Sequence, residues 1–172
     1  MLGDFGLWDK RFFYEQSVGV PLILRGPGVP RGARGLTGKL NRALVSLLDL
    51  YPTILRLAGM TPAASRYQRA GQDLLARADA ASPREAIVAE LGTATMIRTA
   101  NWKLTFDAEQ GGIQQLFNLV VDPAEQQNLA GQPGYEHIVN ELLTRLLAWR
   151  IRLTQYTHDK EERRVQRVRA GG

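Results

Sequence analysis

The chain contains no cysteine. Disulfides and thiolate metal sites are thereby excluded, no thiol can act as a nucleophile, and the redox compartment stays undetermined. Histidine is scarce as well: His137 and His158 share no metal-ligand spacing such as His-x-x-x-His. No uncharged apolar run approaches the roughly 20 residues that a membrane-spanning helix needs, and no leader segment is visible. Acidic residues are the minority, 17 against 22 Lys and Arg, for a net charge of +5. Much of the excess lies in residues 160–172, where Lys160 precedes a run containing Arg163, Arg164, Arg167 and Arg169. Such a run can bind nucleic acid or anionic lipid, but no zinc finger, RNP motif or aromatic platform accompanies it. A solvated chain end accounts for it, so neither a nucleic-acid nor a membrane partner is expected. What is present, 172 residues with 44% hydrophobic and 23% charged content, suffices for a globular domain with a real core.

The first twenty-eight residues organise the chain. Gly3 and Gly6 bracket a loop with Asp4 and Phe5, followed by Trp8 and Lys10, and then by the aromatic and acidic turn Phe12-Phe13-Tyr14-Glu15. Val20 to Leu24, closed by Gly26-Pro27-Gly28, reads as a strand near 20–25 buried on both faces. Residues 29–45 read as a basic, glycine-rich surface connection without the Walker pattern. Helical spacing of Leu48, Tyr51, Leu55 and Ala58 predicts a deeply packed helix over 49–58. Ser46 or Asp49 can cap it; Asp49 is preferred because Pro52 then falls in the first turn, and Gly59 ends it.

After an alanine-rich stretch with a weak helix near 73–78, the period changes. Strands are expected near 86–91, 95–99, 102–106 and 115–118, with a hairpin around Ala100-Asn101 and a turn at Gly111-Gly112. A helix near 135–155 presents Ile138, Leu142, Leu146, Trp149 and Leu153 as one stripe, widened by Val139, Leu143 and Leu147, expected to cover the sheet. Glu90, Asp122 and Glu125 could form an acid–base or metal cluster only by converging on one cleft. Locally, Asp122-Pro123 reads as an Asx-Pro turn and Glu125 as a helix-start acid.

The first segment resembles type I sulfatases and the related phosphonate monoester hydrolases of the alkaline phosphatase superfamily. The likeness rests on Met1 to Lys10, Tyr14-Glu15, Val20 to Ile23 and Pro27-Gly28, and on the stretch from Asp49 to Leu55 with Leu57-Ala58-Gly59. A second group follows in Leu116-Phe117-Asn118-Leu119, Asp122-Pro123-Ala124-Glu125 and Asn128-Leu129. Phe5 stands where a histidine is common in the family. The resemblance implies an α/β fold, α+β within this chain: the last part of a mixed sheet, then a small antiparallel sheet with a long C-terminal helix. It divides the chain into residues 1–80 (catalytic-domain part), 81–159 (small subdomain) and 160–172 (basic tail).

It further implies hydrolysis of sulfate esters, or alternatively of phosphonate or phosphate esters, on a small-molecule or saccharide substrate. A non-catalytic basic binding module is the reading from another class. Lys10 matches a family catalytic position, where its ammonium would contact a sulfate or phosphonate oxygen, and Trp8 could wall the pocket. The family's formylglycine nucleophile, made from Cys/Ser-x-Pro-x-Arg, has no counterpart here, since Ser82-Pro83-Arg84 lacks the spacing. A calcium-type divalent ion is implied, with no metal ligand in this chain. The chain alone is expected to be inactive. An unpartnered strand at Val20 to Leu24 would favour self-association.

Overall fold

Four short strands in sequential order make an antiparallel sheet: β1 (Ile87–Leu91), β2 (Ala94–Arg98), β3 (Trp102–Asp107) and β4 (Gly112–Asn118). The computed structural model describes residues 1–27, 42–60, 71–77 and 84–170, with side chains as far as residue 154. All four strands lie close to the predicted positions, because alternation and tight turns are local signals. Gly111 and Gly112 both take positive φ, 76° and 141°, in the β3–β4 turn, a region that glycine enters without a Cβ penalty.

Cross-strand register sets the two faces. Val88, Ile97, Leu104 and Leu116 line up on one, and Ile97, Leu104 and Leu116 are fully buried. Burial of each contributes about 1.5–3 kcal/mol. On the other face Arg98, Lys103 and Phe117 form a row, with Met96, Thr105 and Gln115 beside it. At the outer edge of β4, Asn128 stands in for a further strand. Its Oδ1 accepts the Leu116 N–H at 3.0 Å and its Nδ2 donates to the Gln114 carbonyl at 2.9 Å.

Before the sheet come α1 (Glu15–Val18), α2 (Leu50–Leu57) and α3 (Leu74–Arg77). A 3-10 turn, Leu47–Asp49, leads into α2, and here the preferred cap is corrected. Ser46 caps the turn: its hydroxyl accepts the Leu48 N–H at 3.3 Å, and Asp49 Oδ2 accepts the Ser46 N–H at 2.8 Å. Asp49 makes no side-chain cap on α2. The reciprocal pair is a capping box, which satisfies donors at both of its ends. Thr53 then ties α2 to α3, its Oγ1 donating to the Asp49 carbonyl at 2.6 Å and accepting the Leu74 N–H at 3.0 Å. Gly71 lies so close that a Cβ would stand 2.0 Å from the Leu48 carbonyl oxygen.

Val20 to Leu24 is not a strand. Ile23 is 86% exposed, and Val20 and Leu24 are exposed as well. A strand exists only through a ladder with another segment, and among the described residues none pairs with 20–24. The two units of the chain are Met1–Asn128 and Leu129–Gly172. In the second, α4 (Glu136–Ala170) extends well beyond the predicted end and through most of the basic segment. Its predicted stripe from Ile138 to Leu153 is buried or half-buried, whereas Leu147 is exposed. The expected surface connection at 29–45 lies largely outside the described residues.

Two substitutions separate core from surface. Leu104→Ala is expected to lower unfolding free energy by about 2–5 kcal/mol, whereas Ile23→Ser should stay within about 0.5 kcal/mol of the parent. Urea unfolding followed by circular dichroism checks both, and a large loss in the Ile23 variant would contradict the surface position.

Candidate functional site

Residues 1–10 fold back on themselves. Leu2 and Trp8 form an isolated antiparallel bridge, the Gly3 N–H donates to the Leu7 carbonyl at 3.0 Å, and the Leu7 N–H to the Asp4 carbonyl at 2.9 Å. Closing so short a loop requires left-handed backbone. Gly3 and Gly6 supply it at φ 110° and 69°, but Phe5 and Asp9 also adopt it, at 55° and 79°. Non-glycine residues in that region cost on the order of 1–3 kcal/mol each and persist where surroundings over-determine them. Asp9 Oδ1 accepts the Lys10 N–H at 2.8 Å, which fixes the backbone next to the predicted lysine. Lys10 and Trp8 both lie on this loop with exposed side chains, so Trp8 is not a core residue.

The loop is followed by an anchored segment. Phe5 stacks on Tyr14 with ring centroids 4.3 Å apart. The Tyr14 ring lies 5.9 Å from Phe117, and its hydroxyl accepts from Gln115 Nε2 at 2.8 Å. Phe13 is buried. The segment thus docks on the sheet face that carries Arg98, Lys103, Gln115 and Phe117. A phenylalanine at position 5 serves as a stacking partner where a histidine would offer a polar ring.

On that face stands a charge cluster that the sequence reading missed. Lys103 is 1% exposed. Its ammonium donates to the Phe13 carbonyl at 3.0 Å and to Glu15 Oε2 at 2.9 Å, and pairs with Glu125 Oε1. The second Glu125 oxygen accepts the Glu15 N–H at 2.7 Å, and Arg98 Nε lies 3.4 Å from Glu15 Oε2. Burying a charge is tolerable only with such pairing. Glu125 is not a helix-start acid, which corrects the expectation: it sits at φ 59° in an irregular stretch. The chain does turn at Asp122-Pro123, but through the backbone, the Glu125 N–H donating to the Asp122 carbonyl at 3.1 Å; the Asp122 carboxylate reaches further than an Asx turn and accepts the Gln126 and Gln127 N–H groups at 3.0 and 2.8 Å. A signal for the cluster was available. A hairpin turning at Ala100-Asn101 sets Arg98 directly opposite Lys103, and like charges in that position demand nearby acids.

Asp49 has a structural task. It takes both Arg84 guanidinium nitrogens at 2.7 and 2.8 Å and the Gln72 N–H at 2.7 Å; Asp49 is buried and the Arg84 side chain only 10% exposed. Among the described residues, no group of three or more His, Asp or Glu side chains could hold a metal ion. These residues therefore do not fit the implied divalent cation. No described helix is long and apolar enough to cross a membrane.

Residues 3–152 match the family described as N-sulphoglucosamine sulphohydrolase, C-terminal. The chain belongs to the sulfatase family. As a sulfatase C-terminal segment it is 34% identical over 139 residues to the choline-sulfatase of Rhizobium meliloti, which covers 77% of this chain and 25% of that protein. It is 28% identical over 182 residues to arylsulfatase K of Mus musculus, covering 93% of this chain and 31% of the relative. The chain thus spans between a quarter and a third of the length of these sulfatases. A solved structure in complex with its substrate, D-glucosamine-2-N,6-O-disulfate, superposes with a TM-score of 0.68 at 25% identity, over 91% of this chain and 32% of the other. A 2-O glycosaminoglycan sulfatase superposes with a TM-score of 0.51 at 27% identity, over 66% of this chain and 26% of the other. In this sulfatase segment the motif residues Tyr14, Glu15, Phe117, Glu125 and Asn128 all hold the N-terminal segment or the β4 edge in place.

Removing one partner of the Asp49–Arg84 pair should be costly. Asp49→Ala strands a largely buried guanidinium, and a loss of about 3–5 kcal/mol is expected. Comparing urea midpoints of the parent, Asp49→Ala and Asp49→Ala/Arg84→Met chains checks this, since the double variant should recover part of the loss.

Proposed function

We propose that this chain contributes a sulfate-contacting lysine, Lys10, and a small supporting subdomain to an enzyme that hydrolyses sulfate esters. The reading rests on one observation: family membership over residues 3–152 includes a closed loop on which Lys10 and Trp8 are both exposed. A lysine ammonium is a compact, strongly hydrated charge on a flexible stem. Held against the sulfate group, it stabilises negative charge that develops on the oxygens as the ester bond breaks, and such fixed electrostatic contacts are commonly the largest catalytic contribution. Trp8 forms an apolar wall beside the leaving alcohol. Sulfated saccharides or small sulfate esters are the substrate class, in line with the names of the relatives. The nucleophile and any divalent cation come from elsewhere in the enzyme.

Catalytic groups that act as a unit give little when separated. The purified chain is therefore expected to hydrolyse neither an aryl sulfate nor an aryl phosphonate above buffer, with calcium or manganese added. Turnover that disappears in Lys10→Ala would refute this. The role of Lys10 is tested by placing the chain in the matching quarter of the Rhizobium meliloti choline-sulfatase. There Lys10→Ala is expected to lower kcat by roughly 10²–10³-fold, as for loss of another electrostatic contact. Unchanged turnover with sulfate esters would sink the assignment.

A further inference from the structure

The chemistry proposed for Lys10 leaves the buried charges of β3 and the following irregular stretch without a task. We propose that Lys103 and Glu125 are positioning residues that fix the Lys10 loop on the sheet, acting through Phe13, Tyr14 and Glu15. The inference rests on the role given to Lys10 and extends it to residues far away in sequence.

Two side chains of the sheet region grip three consecutive residues. Lys103 takes the Phe13 carbonyl and the Glu15 carboxylate, while Glu125 takes the Glu15 N–H and the Lys103 ammonium. Tyr14, held between them, points its hydroxyl to Gln115 and stacks with Phe5. Phe5 lies inside the closed loop, between Gly3 and Lys10. The grip on residues 13–15 is thus relayed to the loop by an aromatic stack.

The choice of residue types supports positioning rather than plain stability. A methionine would fill much of the Lys103 volume without desolvating a charge. Glu125, moreover, adopts a left-handed backbone that a non-glycine residue takes at a cost. Both features buy directionality. Hydrogen-bonded charges accept one arrangement of their partners, whereas an apolar contact tolerates sliding.

The absence of native cysteine allows the test on the whole chain. Nitroxide labels at Leu2→Cys on the loop and Glu109→Cys in the β3–β4 turn, both exposed, report the loop-to-sheet distance by pulsed electron resonance. The parent should give one narrow distance. Lys103→Met and Glu125→Leu should each lose it to a broad distribution, while far-ultraviolet circular dichroism stays that of the folded chain. The double variant Lys103→Met/Glu125→Leu removes the pair together, leaving no stranded charge between them, and decides the matter should a single variant fail to fold. It is expected to fold cooperatively and still show the broad distribution, a result that a merely structural role would not produce. A narrow, parent-like distance in the folded double variant overturns the proposal. The measurement does not involve Lys10, so a broad distribution alongside unchanged turnover in the Lys10→Ala chimera overturns the role of Lys10 and leaves the positioning role supported.

Discussion

Arg98 and Lys103 face each other across β2 and β3. Two like charges at directly opposed positions repel, and one of them is buried. The sheet therefore needs acids on this face, and they come from two distant places, Glu15 in the N-terminal segment and Glu125 beyond β4. One electrostatic requirement of a hairpin thus joins three parts of the chain. The N-terminal loop, the sheet and the stretch following the turn at Asp122 share one charge-balanced junction.

Balanced charge does not make such a junction a large source of stability. Desolvating several ions offsets much of their mutual attraction, and apolar replacements of similar volume are often as stable or more so. The apolar face of the sheet, with Ile97, Leu104 and Leu116 buried, supplies stabilisation of the ordinary kind. The two faces divide the work: one holds the sheet together and the other selects which segment lies upon it.

How much of this could be read from residues alone depended on range. The hairpins were legible because alternation, the Ala100-Asn101 turn and Gly111-Gly112 are all local. The cap before α2 was half legible: Ser46 and Asp49 are three residues apart, the spacing at which each satisfies the other's end of a capping box. Val20 to Leu24 had the composition of a buried strand, but composition cannot supply the ladder partner. Within the candidate site, the family likeness singled out Lys10 and Trp8 together with Tyr14, Glu15 and Glu125. What it could not convey was that Glu15 meets Lys103 and Glu125 across separations of 88 and 110 residues. Nothing in the alternation of Trp102 to Phe106 distinguishes a solvated lysine from a buried one until its partners are known.

The side-chain amide of Asn128 has a further consequence. By occupying the outer edge of β4 it closes that side of the sheet to lengthening. In this chain a further strand would find unblocked room next to β1 rather than beside Leu116 of β4. Asn128 thus sets a direction of growth for the architecture, and a single amide decides where an insertion can be accommodated.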